Sequence, residues 1–444
     1  MDESRSVLDS SLPQTPLADN LRWVFGNLVT RGRDVTAEDV AQRYARLLNG
    51  WDWREIRDIF QYLAGRMGDF SLSRVLSASD DRISVELADG KSRKWELNVE
   101  SDTDFPDKIG EFQVVRSLKP GMAVRCATFA DNEELADVSR RTPISIGDES
   151  LTIDYGSDYF AGIRLMGEAT VVAATYEGRI VGVHVGALTP VCMAGDTCDA
   201  LILARTRILP EHDGSGLGSR LNDLLFYELP YPQKWTVAAA YLSPGNSTAR
   251  SMMRGFFTWP VQPLRLILDC EMLAGASPDG RIRRATRDDG AQIAQLLNSC
   301  HSGEEMYLPY TRDSLEARLR RDPGVYGWQD ILVTDSAAVG VRESGEIRTS
   351  YRNGSPHTSR RASVLDYGFA PGAEPEFEAL LRAWCRDLCA RGVSHLGVFT
   401  SPRSPGADVL RSLAVSTEPY DFCVTAPEPA HDSDWGLYTD AIYF

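Results

Sequence analysis

A chain of 444 residues, 43% hydrophobic and 25% charged, has room and composition for about three folded domains of ordinary size. A formal net charge of −16 argues against nucleic acid as a partner, and no apolar run reaches transmembrane length, so no membrane partner is expected and a cytoplasmic protein is predicted. Eight scattered cysteines lack any C-x-x-C pair and six histidines lack paired spacing, which sets aside a disulfide framework and a metal site.

Residues 1–16 are polar and read as a flexible tail. From Leu17 a helical stripe of Leu21, Val24, Phe25 and Leu28 leads to Thr36, an N-cap with Asp39 three residues on. Val40, Tyr44 and Leu47 continue that second helix, and a third is predicted over 53–67. The period then falls to two: Ile83, Val85 and Leu87 alternate, Asp89-Gly90 turns the chain, and Trp95, Leu97 and Val99 alternate back. Residues 17–117 therefore form a small α+β domain, read as an accessory packing or dimerisation domain without a site.

A new unit opens near Lys119-Pro120-Gly121. Met122 to Thr128 reads as a strand, Asp131 starts a helix through Leu135 and Val138, and Thr170–Tyr176 with Ile180–Ala187 makes a hairpin turning at Glu177-Gly178. The sharpest signal runs from Leu201 to Leu225. An apolar strand enters a turn with Gly214, Gly216 and Gly218, and a helix follows with Leu217, Leu221, Leu224 and Leu225 on one stripe. A helix beginning in such a turn offers unpaired N–H groups and the positive end of its dipole to a phosphate, and glycine lets the backbone come close. A further strand is predicted at Trp235–Leu242. Asn246 then opens a helix that stops at Gly255-Phe256, and Leu264–Glu271 closes the unit.

This order resembles the GNAT N-acetyltransferase superfamily, whose fourth strand, pyrophosphate loop, fifth strand and Asn-x-x-Ala helix ending in Gly-Phe follow the same plan. The resemblance implies an α/β mixed-sheet fold and acetyl-CoA, or another acyl-CoA, as co-substrate. The family's loop reads Arg/Gln-x-x-Gly-x-Gly/Ala; here Asp213-Gly214-Ser215-Gly216-Leu217-Gly218 puts an aspartate first. Carried over, Ile208 and Leu209 pair with the pantetheine, Asp213 through Ser219 hold the pyrophosphate, and Asn246 contacts the cofactor and caps its helix, a role that capping alone also explains. Arg220 and Arg250 are the cations available to offset Asp213, or else surface arginines. The family's thiolate-protonating tyrosine sits seven residues after the asparagine, where this chain has Met253, which donates no proton. Tyr241 is the candidate acid in its place, and Asp199 and His184 are the candidate bases, although a lone histidine in an alternating strand is more often a packed or surface residue.

After a linker at 274–280 the plan repeats. Arg281–Asp289 echoes Val124–Asp131, Ile331–Asp335 and Ala338–Arg342 form a hairpin, and Val364–Phe369 precedes a helix at Glu376–Arg391. Ser394–Phe399 is the next strand and Ser404–Leu413 the next helix. The corresponding loop, Ala370 to Glu376, has one glycine and two carboxylates that would repel a pyrophosphate. The expected organisation is an accessory domain over 17–117, an acyl-CoA-binding GNAT domain over 118–273, and a degenerate GNAT-like copy over 281–444. The pair resembles the tandem GNAT type of clavulanic acid biosynthesis. The layout and Asp107–Phe112 phrase of the first domain are similar to a small domain found ahead of some serine β-lactamase-like proteins. The expected function is N-acyl transfer to a small amine-bearing metabolite in natural-product biosynthesis, by a monomer or homodimer. The alternatives are an inactive CoA-binding regulator and an antibiotic-resistance acetyltransferase.

Overall fold

The computed structural model describes residues 12–45, 57, 60–61, 63–64, 67–90, 93–146, 149–228, 237–243, 246, 249–250, 253, 257–275, 281–352, 355–425 and 436–440. The chain divides into two compact units, one of residues 1–120, 214–223 and 252–255, the other of 121–213, 224–251 and 256–444.

In the smaller unit a helix, Pro16–Thr30, starts with the Ala18 N–H donating to Thr15 Oγ1 and with proline in the first turn, where its missing N–H is harmless. It ends at Arg31, whose φ of 56° is left-handed, and buries Leu17, Leu21, Val24 and Leu28. Thr36 caps the second helix, Ala37–Arg43, as its spacing to Asp39 predicts. Most of the expected third helix lies outside the described residues, but Phe60, Leu63 and Met67 belong to the same core. The sheet is an antiparallel meander of β1 (Phe70–Ala78), β2 (Arg82–Asp89), β3 (Lys94–Ser101) and β4 (Ile109–Arg116). Its β2–β3 register sets Ile83, Val85 and Leu87 opposite Val99, Leu97 and Trp95, the alternation read from the sequence. A helix from far along the chain, Leu217–Asp223, packs on β4, where the Arg116 N–H donates to Asp223 Oδ2 at 3.4 Å.

The larger unit holds sixteen described strands: β5 (Met122–Cys126), β6 (Ile144–Ile146), β7 (Glu149–Asp154), β8 (Glu168–Tyr176), β9 (Arg179–Met193), β10 (Asp196–Ile208), β11 (Val237–Leu242), β12 (Phe257–Thr258), β13 (Leu264–Asp269), β14 (Arg283–Arg284), β15 (Ile331–Val333), β16 (Ala337–Arg352), β17 (Ser355–Phe369), β18 (His395–Thr400), β19 (Ala414–Pro419) and β20 (Asp421–Val424). One sheet runs β5-β8-β9-β10-β11-β20-β12 and the other β14-β15-β16-β17-β18-β13-β19, with β7 also paired to β16. In each, four antiparallel strands are followed by one parallel neighbour, β11 beside β10 and β18 beside β17. The β8–β9 hairpin turns through Glu177 and Gly178 at φ 49° and 81°, the mirror-image turn that matches strand twist.

The two sheets exchange strands. β13 follows the first sheet's elements in the chain but pairs with β18 and β19 of the second sheet, and β20 returns to pair with β11 and β12 of the first. The segments Val124–Asp131 and Arg281–Asp289 make the same local contacts. Arg125 grips Asp131 at 2.7 and 2.8 Å, and the Thr128 N–H donates to that carboxylate at 2.7 Å. Arg283, Thr286 and Asp289 make the same contacts at 2.6, 2.8 and 2.7 Å. All eight cysteines are free thiols, and among the described residues no helix is long and apolar enough to cross a membrane.

Candidate functional site

The centre of the first sheet opens where two strands part. β10 pairs with β11 only from Ala200–Val237 to Leu203–Ala240, while β10 itself continues to Ile208. A bulge lies just past the last pair: the register with β9 slips between Ala204 and Arg207, and Arg205 adopts a φ of 50°. Antiparallel pairing then resumes on the β9 side alone. The Leu209 N–H donates to Val181 O at 2.8 Å, so in the adjacent Ile208–Gly182 pair Ile208 turns its own N–H and C=O toward the open edge. Of the two residues expected from sequence to pair with pantetheine, Ile208 presents its backbone groups to the open edge, whereas the Leu209 N–H is bonded to Val181 O.

His184 lies opposite the bulge, fully buried, with Nδ1 2.7 Å from Thr206 Oγ1. Tyr241 stands on β11 one residue beyond the last β10 pair, its ring tilted against Phe422 of β20 at 4.9 Å, and its hydroxyl donates to the Tyr438 carbonyl at 3.4 Å. Tyr241 borders the opening, and His184 lies level with it, buried across β10. Asp199 does neither: it is exposed, paired opposite Pro190, and five residues before Ala204, which at about 3.3 Å per residue is roughly 16 Å down the strand.

The chain then enters the glycine turn. Asp213 is exposed, Gly214 and Gly216 have φ of 71° and 93°, and the Leu217 N–H bonds back to the Ser215 hydroxyl at 3.4 Å. The first regular helical bond runs from the Arg220 N–H to Gly216 O, which leaves the N–H groups of Gly218 and Ser219 in the first turn for a ligand. Sequence reading missed Arg116, because it lies a hundred residues away. A Cβ on Gly216 would stand 2.6 Å from Arg116 Cγ and 2.8 Å from its Nε. The guanidinium sits 5.5 Å from the Trp95 ring, and its buried Nη1 has no hydrogen-bond partner among the described residues. Burial, with Arg93 nearby, lowers its pKa from the ordinary arginine value.

Asn246 caps a helical turn: its Oδ1 accepts from the Ala249 N–H at 2.9 Å, and the Arg250 N–H bonds to its carbonyl. Arg250 is held by the buried Asp421, which also accepts from Gln262 at 2.9 Å. Met253 is buried. Beside Leu209 and His212 lies an open cleft of about 500 Å³, but its Arg140, Arg141 and Arg179 are each paired with a carboxylate. In the second sheet β17 also parts from β18 beyond Ser363, and there Tyr367 and Phe369 stack on Phe377 at 5.2 and 4.8 Å within the core. Glu374 and Glu376 occupy the first turn of the helix that follows.

No family model matches the sequence, and no curated protein does. Among solved structures, Saccharomyces cerevisiae N-myristoyltransferase with bound myristoyl-CoA aligns over 73% of this chain and 90% of its own, at 10% identity and a TM-score of 0.50. A probable N-acyltransferase of Enterococcus faecalis V583 (12% identity, TM-score 0.38) and a GCN5-related N-acetyltransferase of Kribbella flavida (14%, 0.37) each align over 68% of this chain and 71% of theirs. The chain is similar in fold to N-myristoyltransferase, and its mixed α/β architecture is that of the GNAT fold.

Proposed function

We propose that the chain is an acyl-CoA-dependent N-acyltransferase that modifies a small amine-bearing metabolite. The observation that carries this reading is the parted β10–β11 edge, at which Ile208 turns its backbone groups away from β9; a turn with two left-handed glycines follows in the chain. Strand-like pairing at Ile208 holds the pantetheine, and the N–H groups from Gly214 to Ser219 hold the pyrophosphate. Backbone donors need no particular side chain, so Asp213 weakens the site without abolishing it, and Arg116 supplies the cation that Asp213 does not. The second copy, its opening filled and its helix start acidic, serves as a wall of the cleft.

In the transfer, the neutral amine nitrogen attacks the thioester carbonyl carbon, the C–S bond breaks, and the amine proton passes to a base while the departing thiolate takes a proton. Tyr241, at the opening, and His184, buried across β10, are the groups proposed for acid and base, and Asp199 acts only through intervening water. Acetyl-CoA as donor, a cytoplasmic setting and natural-product biosynthesis complete the proposal. A second reading, a CoA-binding regulator without turnover, is favoured by the buried Met253 in the place of the family's tyrosine.

Calorimetric titration of acetyl-CoA into wild type and Gly216→Trp tests the reading. One site per chain, lost in the variant, is expected, with free thiol released when a panel of small amines is added. Two sites would overturn the view of the second copy. Binding without thiol release for any amine would favour the regulator, and no binding would sink the proposal.

A further inference from the structure

The larger unit contains a second, smaller cavity of about 140 Å³, and Tyr241 at the β10–β11 opening forms part of its lining. Pro190 and Val191 of β9, the loop residues 306–310 and Tyr438 of the C-terminal segment supply most of its walls. A parallel bridge fixes that segment: the Glu305 N–H donates to Gly436 O and the Tyr438 N–H to Glu305 O, each at 2.9 Å. Tyr307 stands edge to face with Tyr438 at 4.9 Å and with Tyr310 at 6.0 Å. The walls are mainly aromatic and aliphatic. The volume is well below the roughly 300–1,000 Å³ usual for drug-sized ligands, so the occupant is small.

The charged lining is Arg318, Arg321 and Asp440. Arg318 and Asp440 are both buried and lie 2.7 Å apart, and Arg318 also reaches the buried Asp366 at 3.4 Å, so its charge is met within the protein. Arg321 differs. Its Nη1 donates to the Leu165 carbonyl at 2.8 Å, but among the described residues its Nε–Nη2 edge makes no hydrogen bond and no carboxylate lies within ion-pair distance. The adjacent Asp322 is turned to Arg164 at 2.5 Å. The guanidinium is also held flat: a Cβ built on Gly167 would stand 3.3 Å from its Nη1 and 3.4 Å from both Cζ and Nη2, so the plane of the group lies against that glycine. A loose surface arginine gains little from an anion, because ordering its side chain costs entropy. Arg321 is ordered already, and it is exposed at the mouth of the cavity, where the charged end of a ligand keeps part of its water. Its planar fork matches the two oxygens of a carboxylate.

We propose that this cavity is the acceptor site and that the acceptor is a small amino acid, its carboxylate held by Arg321 at the mouth and its amine directed toward the Tyr241 end. The role as acceptor site rests on the acyltransferase reading; recognition of a carboxylate by Arg321 does not. The transfer consumes the ammonium form and the thioester and yields the amide, the free CoA thiol and one proton to solvent. The carboxylate emerges unchanged on the product.

The test is calorimetry on the full chain at neutral pH, with and without coenzyme A. It compares glycine, β-alanine and γ-aminobutyrate with methylamine, ethylamine and n-propylamine, the same amines without the carboxylate. At least one amino acid should bind about fivefold tighter than its amine, the scale of an exposed but ordered ion pair. Arg321→Gln should abolish that preference, Arg321→Glu should reverse it, and Arg321→Lys, which keeps the charge without the fork, should retain part of it. Arg321 is exposed, so these variants leave the core alone, and a cooperative thermal transition checks that each is folded. Equal binding of amino acid and amine by the wild type overturns the proposal. So does a preference that survives Arg321→Gln, or coenzyme A binding with no probe bound. A carboxylate preference lost in Arg321→Gln, in a chain that does not bind coenzyme A, would instead uphold the carboxylate site and remove the transferase reading.

Discussion

Gly214 and Gly216 both hold φ values that side chains resist, yet their surroundings differ. A Cβ on Gly214 meets nothing within 4 Å, whereas one on Gly216 runs into Arg116. Gly214→Ala should therefore cost only roughly 1–2 kcal/mol of backbone strain, and Gly216→Ala a further 1–3 kcal/mol or so of overpacking, seen as a larger drop in the urea midpoint for Gly216→Ala. Arg116→Ala should leave the turn intact and weaken acetyl-CoA about tenfold, the worth of one charge-assisted contact, by calorimetry; unchanged affinity would remove Arg116 from the site. The glycines were legible in the sequence because a left-handed turn demands them. Arg116 was not, because nothing in a local window tells which distant side chain will lie over a loop. The role of Arg250 was equally hidden: its partner Asp421 is 171 residues away.

At the level of elements, the Arg-x-x-Thr-x-x-Asp phrase occurs twice, at 125–131 and 283–289, and builds the same clasp each time. Arg125 and Arg283 hold the Asp131 and Asp289 carboxyls well below the ordinary carboxylate range, helped by the threonine N–H groups and opposed by partial burial. A depressed folded pKa contributes stability above the unfolded value near about 4, and that contribution fades as pH falls through the folded one. Asp131→Asn and Asp289→Asn should each lower the Tm at neutral pH, with the gap to wild type closing below about pH 4. A gap constant with pH would show that the clasp acts through shape alone. Alternation and apolar runs located β2, β3, β8, β9 and β10 because their central residues are buried. They could not name a strand's partner, so β7 pairing with β16, and β13 and β20 changing sheets, were beyond their reach.

For the molecule as a whole, the exchange means that neither half owns a complete sheet. A fragment of residues 1–275 lacks β20, leaving Tyr241 without its Phe422 partner, and a fragment of 276–444 lacks β13 from between β18 and β19. Each fragment expressed alone should be insoluble or fail to unfold cooperatively, whereas co-expression should recover a soluble complex that binds acetyl-CoA. Independent, cooperative folding of the first fragment would show that β20 is dispensable. The exchange also sets a schedule for synthesis. Between Leu242, where β11 ends, and Asp421, where β20 begins, the ribosome must add 179 residues, which at about 5–20 residues per second takes roughly ten to forty seconds. Throughout that interval the parted strands stand beside an uncovered β11 edge, so a nascent chain is most exposed to mispairing at the place where the finished protein is proposed to do its chemistry. A premature stop anywhere before residue 421 leaves that edge bare for good.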